Sequence, residues 1–127
     1  MVLDITKISD SRGDLYVAEY LKDIPFDIKR IYFIKSVNDE PRGFHAHRQL
    51  NQAAICIQGS CEMILDDGST KEKIKMDAPN KMVMVDKMVW HEMHDFSKDC
   101  ILLVMASDVY NENDYIRNYQ EFKEEVK

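Results

Sequence analysis

The sequence predicts an all-β protein, a small antiparallel β-barrel or jelly roll with one C-terminal helix. Three observations carry this reading. Short apolar runs recur along the chain, and turn signals at Gly13, Pro25, 38–43, Gly59, Asp66-Asp67-Gly68 and Pro79-Asn80 separate them. The apolar period becomes helical only near the C-terminus. Evenly spaced short strands of this kind build sandwiches and barrels.

Taken in order, the predicted strands are 15–20, 30–35, 43–47, 52–58, 61–65, 71–76, 82–85, 89–93 and 100–106. In 30–35 the pattern leaves open whether Tyr32 or Phe33 faces inward. In 71–76, Lys71, Lys73 and Lys75 alternate with Glu72, Ile74 and Met76. Side chains in a strand point alternately to its two faces, so this strand turns its lysines to solvent and is half-buried. In 101–106 every residue is apolar, as expected of a central strand covered on both sides. Finally Tyr115, Tyr119, Phe122 and Val126 recur at helical steps between polar residues. They predict one amphipathic helix, capped within 111–114 and laid on the barrel or on a second subunit.

The 127 residues suffice for one core, so a single domain spanning 1–127 is expected. With 45% hydrophobic and 31% charged residues, four Gly and three Pro, the chain reads as globular rather than as a linker. A net charge of −6 argues against general affinity for nucleic acid or an anionic membrane surface. No apolar run approaches the roughly 20 residues that span a bilayer, and the first residues lack the layout of a secretory signal. A cytoplasmic location is therefore expected. Cys56, Cys61 and Cys100 are odd in number and show no CxxC spacing, which predicts reduced core thiols without a catalytic role. Lys29, Arg30, Arg42 and Arg48 lie close enough in sequence to gather at one anion site.

Chemistry concentrates in Arg42-Gly43-Phe44-His45-Ala46-His47, then Gln52 and Gly59, and later Trp90-His91-Glu92-Met93-His94. Residues two apart on a strand share a face, so His45 and His47 project together. His91 lies on a later predicted strand that can face them. A single histidine is most simply a core or surface residue; three in strand contexts, two of them at His-x-His spacing behind a glycine, point to a site.

Those residues resemble the first motif of the cupin superfamily: Gly43, His45, His47, an acidic position a few residues on, then Gly59. The acidic position is Gln52 here, a neutral side chain and a poor ligand for a divalent cation. The departure disfavours a metal-dependent oxygenase or isomerase, and no metal or other cofactor is expected. A three-imidazole zinc site on His45, His47 and His91 is the alternative.

A closer resemblance covers nearly the whole chain: Asp10-Ser11-Arg12-Gly13, Ile24-Pro25-Phe26, Lys29-Arg30-Ile31-Tyr32, Pro41 to His47, Ile64 to Gly68, Val89 to Phe96 and Ala106-Ser107-Asp108. These are similar to the dTDP-4-keto-6-deoxyglucose 3,4-ketoisomerases of amino-sugar biosynthesis. That resemblance implies a homodimeric barrel acting on a dTDP-linked keto sugar, with a galacto-configured 3-keto product. It implies His47, and second His45, as acid/base catalysts working through an enediol. Substrate contacts are expected from Arg42, Arg12, Tyr32, Arg30, Gln52 and His91, with Arg12 near the control of stereochemistry at C4. The rival readings are a metal-free 3,5-epimerase and a non-catalytic module that binds a sugar nucleotide.

Overall fold

The structure, a computed structural model, describes residues 1–35 and 38–127. Its strands are β1 (Val2–Asp4), β2 (Thr6–Asp10), β3 (Gly13–Val17), β4 (Arg30–Lys35), β5 (Arg42–His47) and β6 (Gln52–Gln58). There follow β7 (Cys61–Asp66), β8 (Lys71–Met76), β9 (Lys81–Val85), β10 (Trp90–His94), β11 (Ile101–Ala106) and β12 (Tyr115–Ile116). A 3₁₀ turn (Glu112–Asp114) precedes β12, and α1 (Tyr119–Glu125) closes the chain. One five-stranded sheet runs β1-β9-β6-β11-β4 and the other β12-β5-β10-β7-β8, with antiparallel pairing throughout. The pair β2-β3 stands as a separate hairpin.

The main core lies between the two sheets. Ala54 and Cys56 of β6, Val83 and Val85 of β9 and Leu102 and Val104 of β11 meet Cys61, Met63 and Leu65 of β7, Ile74 and Met76 of β8 and Met93 of β10. Each strand contributes alternate residues, as a two-sheet core requires. In β8 the lysines are exposed while Ile74 and Met76 are buried. In β4 the alternation puts Arg30, Tyr32 and Ile34 inside and leaves Ile31 and Phe33 outside, 61% and 63% exposed. The fully apolar β11 is explained by a second cluster on the outer face of the first sheet. There Met105 packs with Ala53, Ile55, Met82 and Met84 under Ile5 and Ile24.

The C-terminal segment departs from the predicted helix. The helix starts at Tyr119, with Asn118 as its cap accepting from the Glu121 amide, whereas Asn111 caps the separate 3₁₀ turn. Tyr115 and Ile116 instead pair with His47 and Ala46 as an edge strand. Tertiary pairing outcompetes a helical period that ran through two separate elements. Phe122, Ile116 and Trp90 form a third cluster over Ala46, with Tyr119 and Val126 beside it, so the apolar stripe lies on the chain's own barrel. The Tyr119 hydroxyl donates to buried Asp66 at 2.6 Å and fixes the helix to the β7-β8 turn. The strands β1 and β2, too polar to show in the pattern, were outside the predicted set, and the predicted strand 15–20 corresponds to β3, which ends at Val17.

Candidate active site

The site is built where β5 meets β10 and β12. His45 pairs with His91 across β5-β10, and the next pair is Gly43 with Glu92, so β5 carries one extra residue at Phe44. Gly43 and Phe44 hold this bulge with φ of 91° and 61°. A Cβ on Gly43 would lie 2.9 Å from the His91 carbonyl oxygen, so the close approach requires glycine. Beyond the bulge, the period of two aims both His45 and His47 inward.

The three imidazoles meet as expected. The His45 ring centroid is 4.9 Å from that of His47 and 4.5 Å from that of His91, and one nitrogen from each ring lies within 4.8 Å of the others. His45 Nδ1 contacts the Gly43 carbonyl at 3.0 Å, and His91 Nδ1 the Val89 carbonyl at 3.2 Å. A carbonyl only accepts, so both rings carry their proton on Nδ1 and leave Nε2 as the free lone pair. His47 is 3% exposed, and neither of its nitrogens has a hydrogen-bond partner among the described residues. Its nearest charge is Asp114 Oδ2, 3.5 Å from Nδ1 and outside hydrogen-bond geometry. A buried polar group left unpaired is costly, and such groups gather at functional sites.

Burial decides the protonation of the group. It lowers the pKa of His47 from 6.5 to about 4, helped by His45 and opposed by Asp114. Burial likewise takes His91 to about 3 and lowers His45, the latter against the Gly43 carbonyl. All three are therefore neutral at neutral pH and able to accept a proton.

Around them the other predicted residues assemble unevenly. Arg30, Tyr32, Arg42 and His45 line one cavity of about 360 Å³, together with Met93 and Tyr115. Arg30 and Tyr115 also line an adjoining cavity of about 290 Å³ that reaches His47, Asp108 and Asn111. The Arg30 guanidinium stacks on Tyr32 at 5.4 Å and on Tyr110 at 5.9 Å, with its buried Nε unpaired. Gln52 is buried and its Oε1 accepts from the Tyr32 hydroxyl at 3.5 Å. Arg48, in contrast, leaves the expected anion group: it binds Glu121 and Glu125 of α1 and the carbonyls of Asn113 and Tyr115. Arg12 sits at the tip of the β2-β3 hairpin, 88% exposed and paired with Asp10 on the same turn.

Two residues of the site escaped the sequence pattern. Tyr115 lies opposite His47 in register, with its ring 4.4 Å from His47 and 4.9 Å from His45. The Arg117 guanidinium lies over the same ring at 4.1 Å. Asp114, which faces His47, is fixed by accepting from the Gln49 and Leu50 amides at 2.9 and 3.1 Å. A two-residue strand has no period to detect.

The three imidazoles are of a kind and spacing that can hold a divalent cation, while Gln52, at the sequence position where a metal-binding member carries an acid, is neutral and engaged by the Tyr32 hydroxyl. They are equally arranged for proton transfer at the wall of a cleft lined with arginine. Fold and site together define an isomerase of the cupin class, its chemistry gathered within one small barrel. The family model described as FdtA: WxcM-like, C-terminal matches residues 1–127, and the chain belongs to that family. It is 52% identical over 126 residues to a TDP-4-oxo-6-deoxy-alpha-D-glucose-3,4-oxoisomerase of Aneurinibacillus thermoaerophilus, covering 98% of this chain and 91% of that protein. A 3,4-ketoisomerase from Helicobacter canadensis superposes with a TM-score of 0.94 at 47% identity, over 99% of this chain and 96% of its own. The sugar 3,4-ketoisomerase QdtA from Thermoanaerobacterium thermosaccharolyticum, solved in complex with TDP, gives 0.95 at 40% identity over 99% and 93%. Among the described residues no helix is long and apolar enough to cross a membrane.

Proposed function

We propose that this chain converts dTDP-4-keto-6-deoxyglucose into the galacto-configured dTDP-3-keto-6-deoxyhexose, by metal-free acid/base catalysis on His47 and His45. The observation that carries the reading is the neutral, unpartnered imidazole of His47, buried beside His45 at the wall of a pocket lined by Arg30. His47 takes the proton from C3, and the electron pair moves into a C3–C4 double bond as charge collects on O4. His45, through its free Nε2, relays the O3 proton to O4, and the imidazolium returns a proton to C4 as the carbonyl forms at C3. A positioned base of this kind contributes about 10² to 10⁴ in rate.

Arg42 serves the developing oxyanion, where a fixed cation acts best with water excluded. Arg30, with a free Nε and two tyrosine rings about it, suits a phosphate of the nucleotide. Gln52 and Tyr32 hold each other and present one polar edge to the sugar. His91 supports His45 from behind.

The enzyme acts as a homodimer in this reading. The support is the bare outer face around β4, where Ile31, Phe33 and Ile57 are exposed, and the hairpin, where Ile8 and Leu15 are exposed. Single chains rarely leave such apolar area to solvent. Arg12, exposed on its hairpin tip and paired there with Asp10, is given in this reading the bias of stereochemistry at C4. Light scattering at micromolar concentration gives the mass of a dimer if this holds and of a monomer if it does not.

The test of the reaction is an NMR time course of chelator-treated protein with the 4-keto sugar nucleotide in deuterated buffer. A 3-keto product bearing deuterium at C4, with the small H4–H5 coupling of an axial hydroxyl where residual H4 remains, is expected. Exchange at C3 and C5 without carbonyl migration would instead mark an epimerase. An unchanged spectrum would leave a binding module, and activity that returns only with added metal would overturn the metal-free step.

A further inference from the structure

The second cluster of ligating side chains lies far from the imidazoles, at the other end of the barrel interior. Gln52 and Cys56 share the inner face of β6 four residues apart, which places the thiols about 13 Å along the strand from the site. Cys56 comes from the end of β6, Cys61 from the start of β7 and Cys100 from the residue before β11. All three are buried at 1% exposure or less, and their sulfurs lie within 4.8 Å of one another. The Cys56 and Cys100 sulfurs are 3.7 Å apart. A metal held about 2.3 Å from each of three sulfurs sets them about 4 Å apart, so the cluster needs only a sub-ångström contraction to close on an ion.

We propose that Cys56, Cys61 and Cys100 form a three-thiolate site for a soft monovalent metal ion, with copper(I) as the matching ion. The donor set decides the class. Among the described residues, no carboxylate or imidazole joins the thiols within that distance, and the cluster packs instead among Met63, Met76, Phe96 and Leu102. Zinc in structural sites takes four ligands from Cys and His, whereas three thiols without a fourth such donor suit the lower coordination of copper(I), which thiolates also select. Met76 pairs with Cys61 in register and offers a thioether on the same inner face, a further soft group.

The segments that carry Cys61 and Cys100 flank a turn close to the surface. There the Gly59-Ser60 turn is tied to Ser97 by the Ser60 amide donating to Ser97 Oγ, and Asp99 lies exposed beside it. The Ser97 hydroxyl donates to Asp99 at 2.7 Å, which fixes an exposed carboxylate beside that turn. Each thiol that binds releases its proton to solvent, so retention tightens as pH rises.

The test uses the full chain, reduced and oxygen-free, titrated with copper(I) against a chromophoric copper(I) chelator. One equivalent retained, with an ultraviolet sulfur-to-copper absorption and three sulfur neighbours by X-ray absorption, is expected. Cys61→Ser and Cys61→Ala, either of which may be used once its far-ultraviolet dichroism matches the parent, abolish that retention, while His47→Asn keeps it. Copper lost to the chelator by the parent protein, or retained after Cys61 is replaced but lost in His47→Asn, would overturn the proposal. So would nitrogen neighbours at the bound ion.

Discussion

The two ends of the barrel interior are solved in opposite ways. At one end β4, β5, β10 and β12 bring three imidazoles, a tyrosine and two arginines together, with His47 unpaired at both nitrogens and Arg30 at Nε. At the other, β6, β7 and β11 bury Cys56, Met63 and Leu102 with complementary apolar packing. The first end holds polar groups at a cost in stability and the second supplies the stability. β6 runs from one end to the other, from Gln52 to Cys56, and in β5 the bulge at Gly43–Phe44 stands directly before the imidazoles.

Substitutions at the two ends should therefore have exchanged effects. His47→Asn is expected to lower kcat by about 10² to 10⁴ while leaving the urea midpoint nearly in place, since it removes a group that no hydrogen bond holds. Leu102→Ala, at 0% exposure in the main core, should cost about 2 to 5 kcal/mol and leave kcat of the folded fraction unchanged. Paired turnover and urea-unfolding measurements on both variants check this. A His47→Asn protein that loses its stability along with its activity would erase the distinction between the two ends.

Acid should attack the imidazole end first. His47 and His91 titrate near 4 and 3 in the folded protein, against about 6.5 when unfolded. The unfolded chain thus binds these protons first. Stability is complete above about 6.5 and falls as pH drops through 4 towards 3, His47 alone accounting for about 3 kcal/mol. Urea midpoints between pH 8 and 4.5 should decline for the parent and decline less for His47→Asn. Because the neutral imidazole is the base, kcat/KM should stay level from pH 8 to about 5 and fall below that.

Much of this was legible in the sequence, for identifiable reasons. Strands with a full period, such as β4, β6 and β8, coincide with the predicted 30–35, 52–58 and 71–76. His45, His47 and His91 converge because a strand period fixes which face they share. What failed was what needed tertiary context. The apolar steps from Tyr115 to Val126 span a strand and a helix, since Tyr115 obeys its pairing with His47 rather than the helical period. Arg48 stands near Arg42 in sequence but turns to the opposite side to hold α1. The orientation of Tyr32, open in the sequence, follows from the alternation of β4 once Ile34 is inside.

The smallest effect concerns how the C-terminal segment holds the imidazole end from outside. Arg48 donates to the Asn113 and Tyr115 carbonyls at 3.2 and 3.1 Å and pairs with Glu121 and Glu125 at 3.1 and 2.9 Å. Half-exposed ion pairs of this kind contribute up to about 1 kcal/mol, so Arg48→Met should shift the urea midpoint only slightly. The same contacts also fix the backbone that presents Asp114 and Tyr115 to His47. A positioning role predicts a lower kcat with KM little changed, by less than about tenfold, and recovery in Arg48→Lys should be incomplete because lysine cannot match the forked contacts. If Arg48→Met leaves kcat untouched, the imidazole end holds its geometry through β5, β10 and β12 alone, and α1 serves only to cover the outer face of the second sheet.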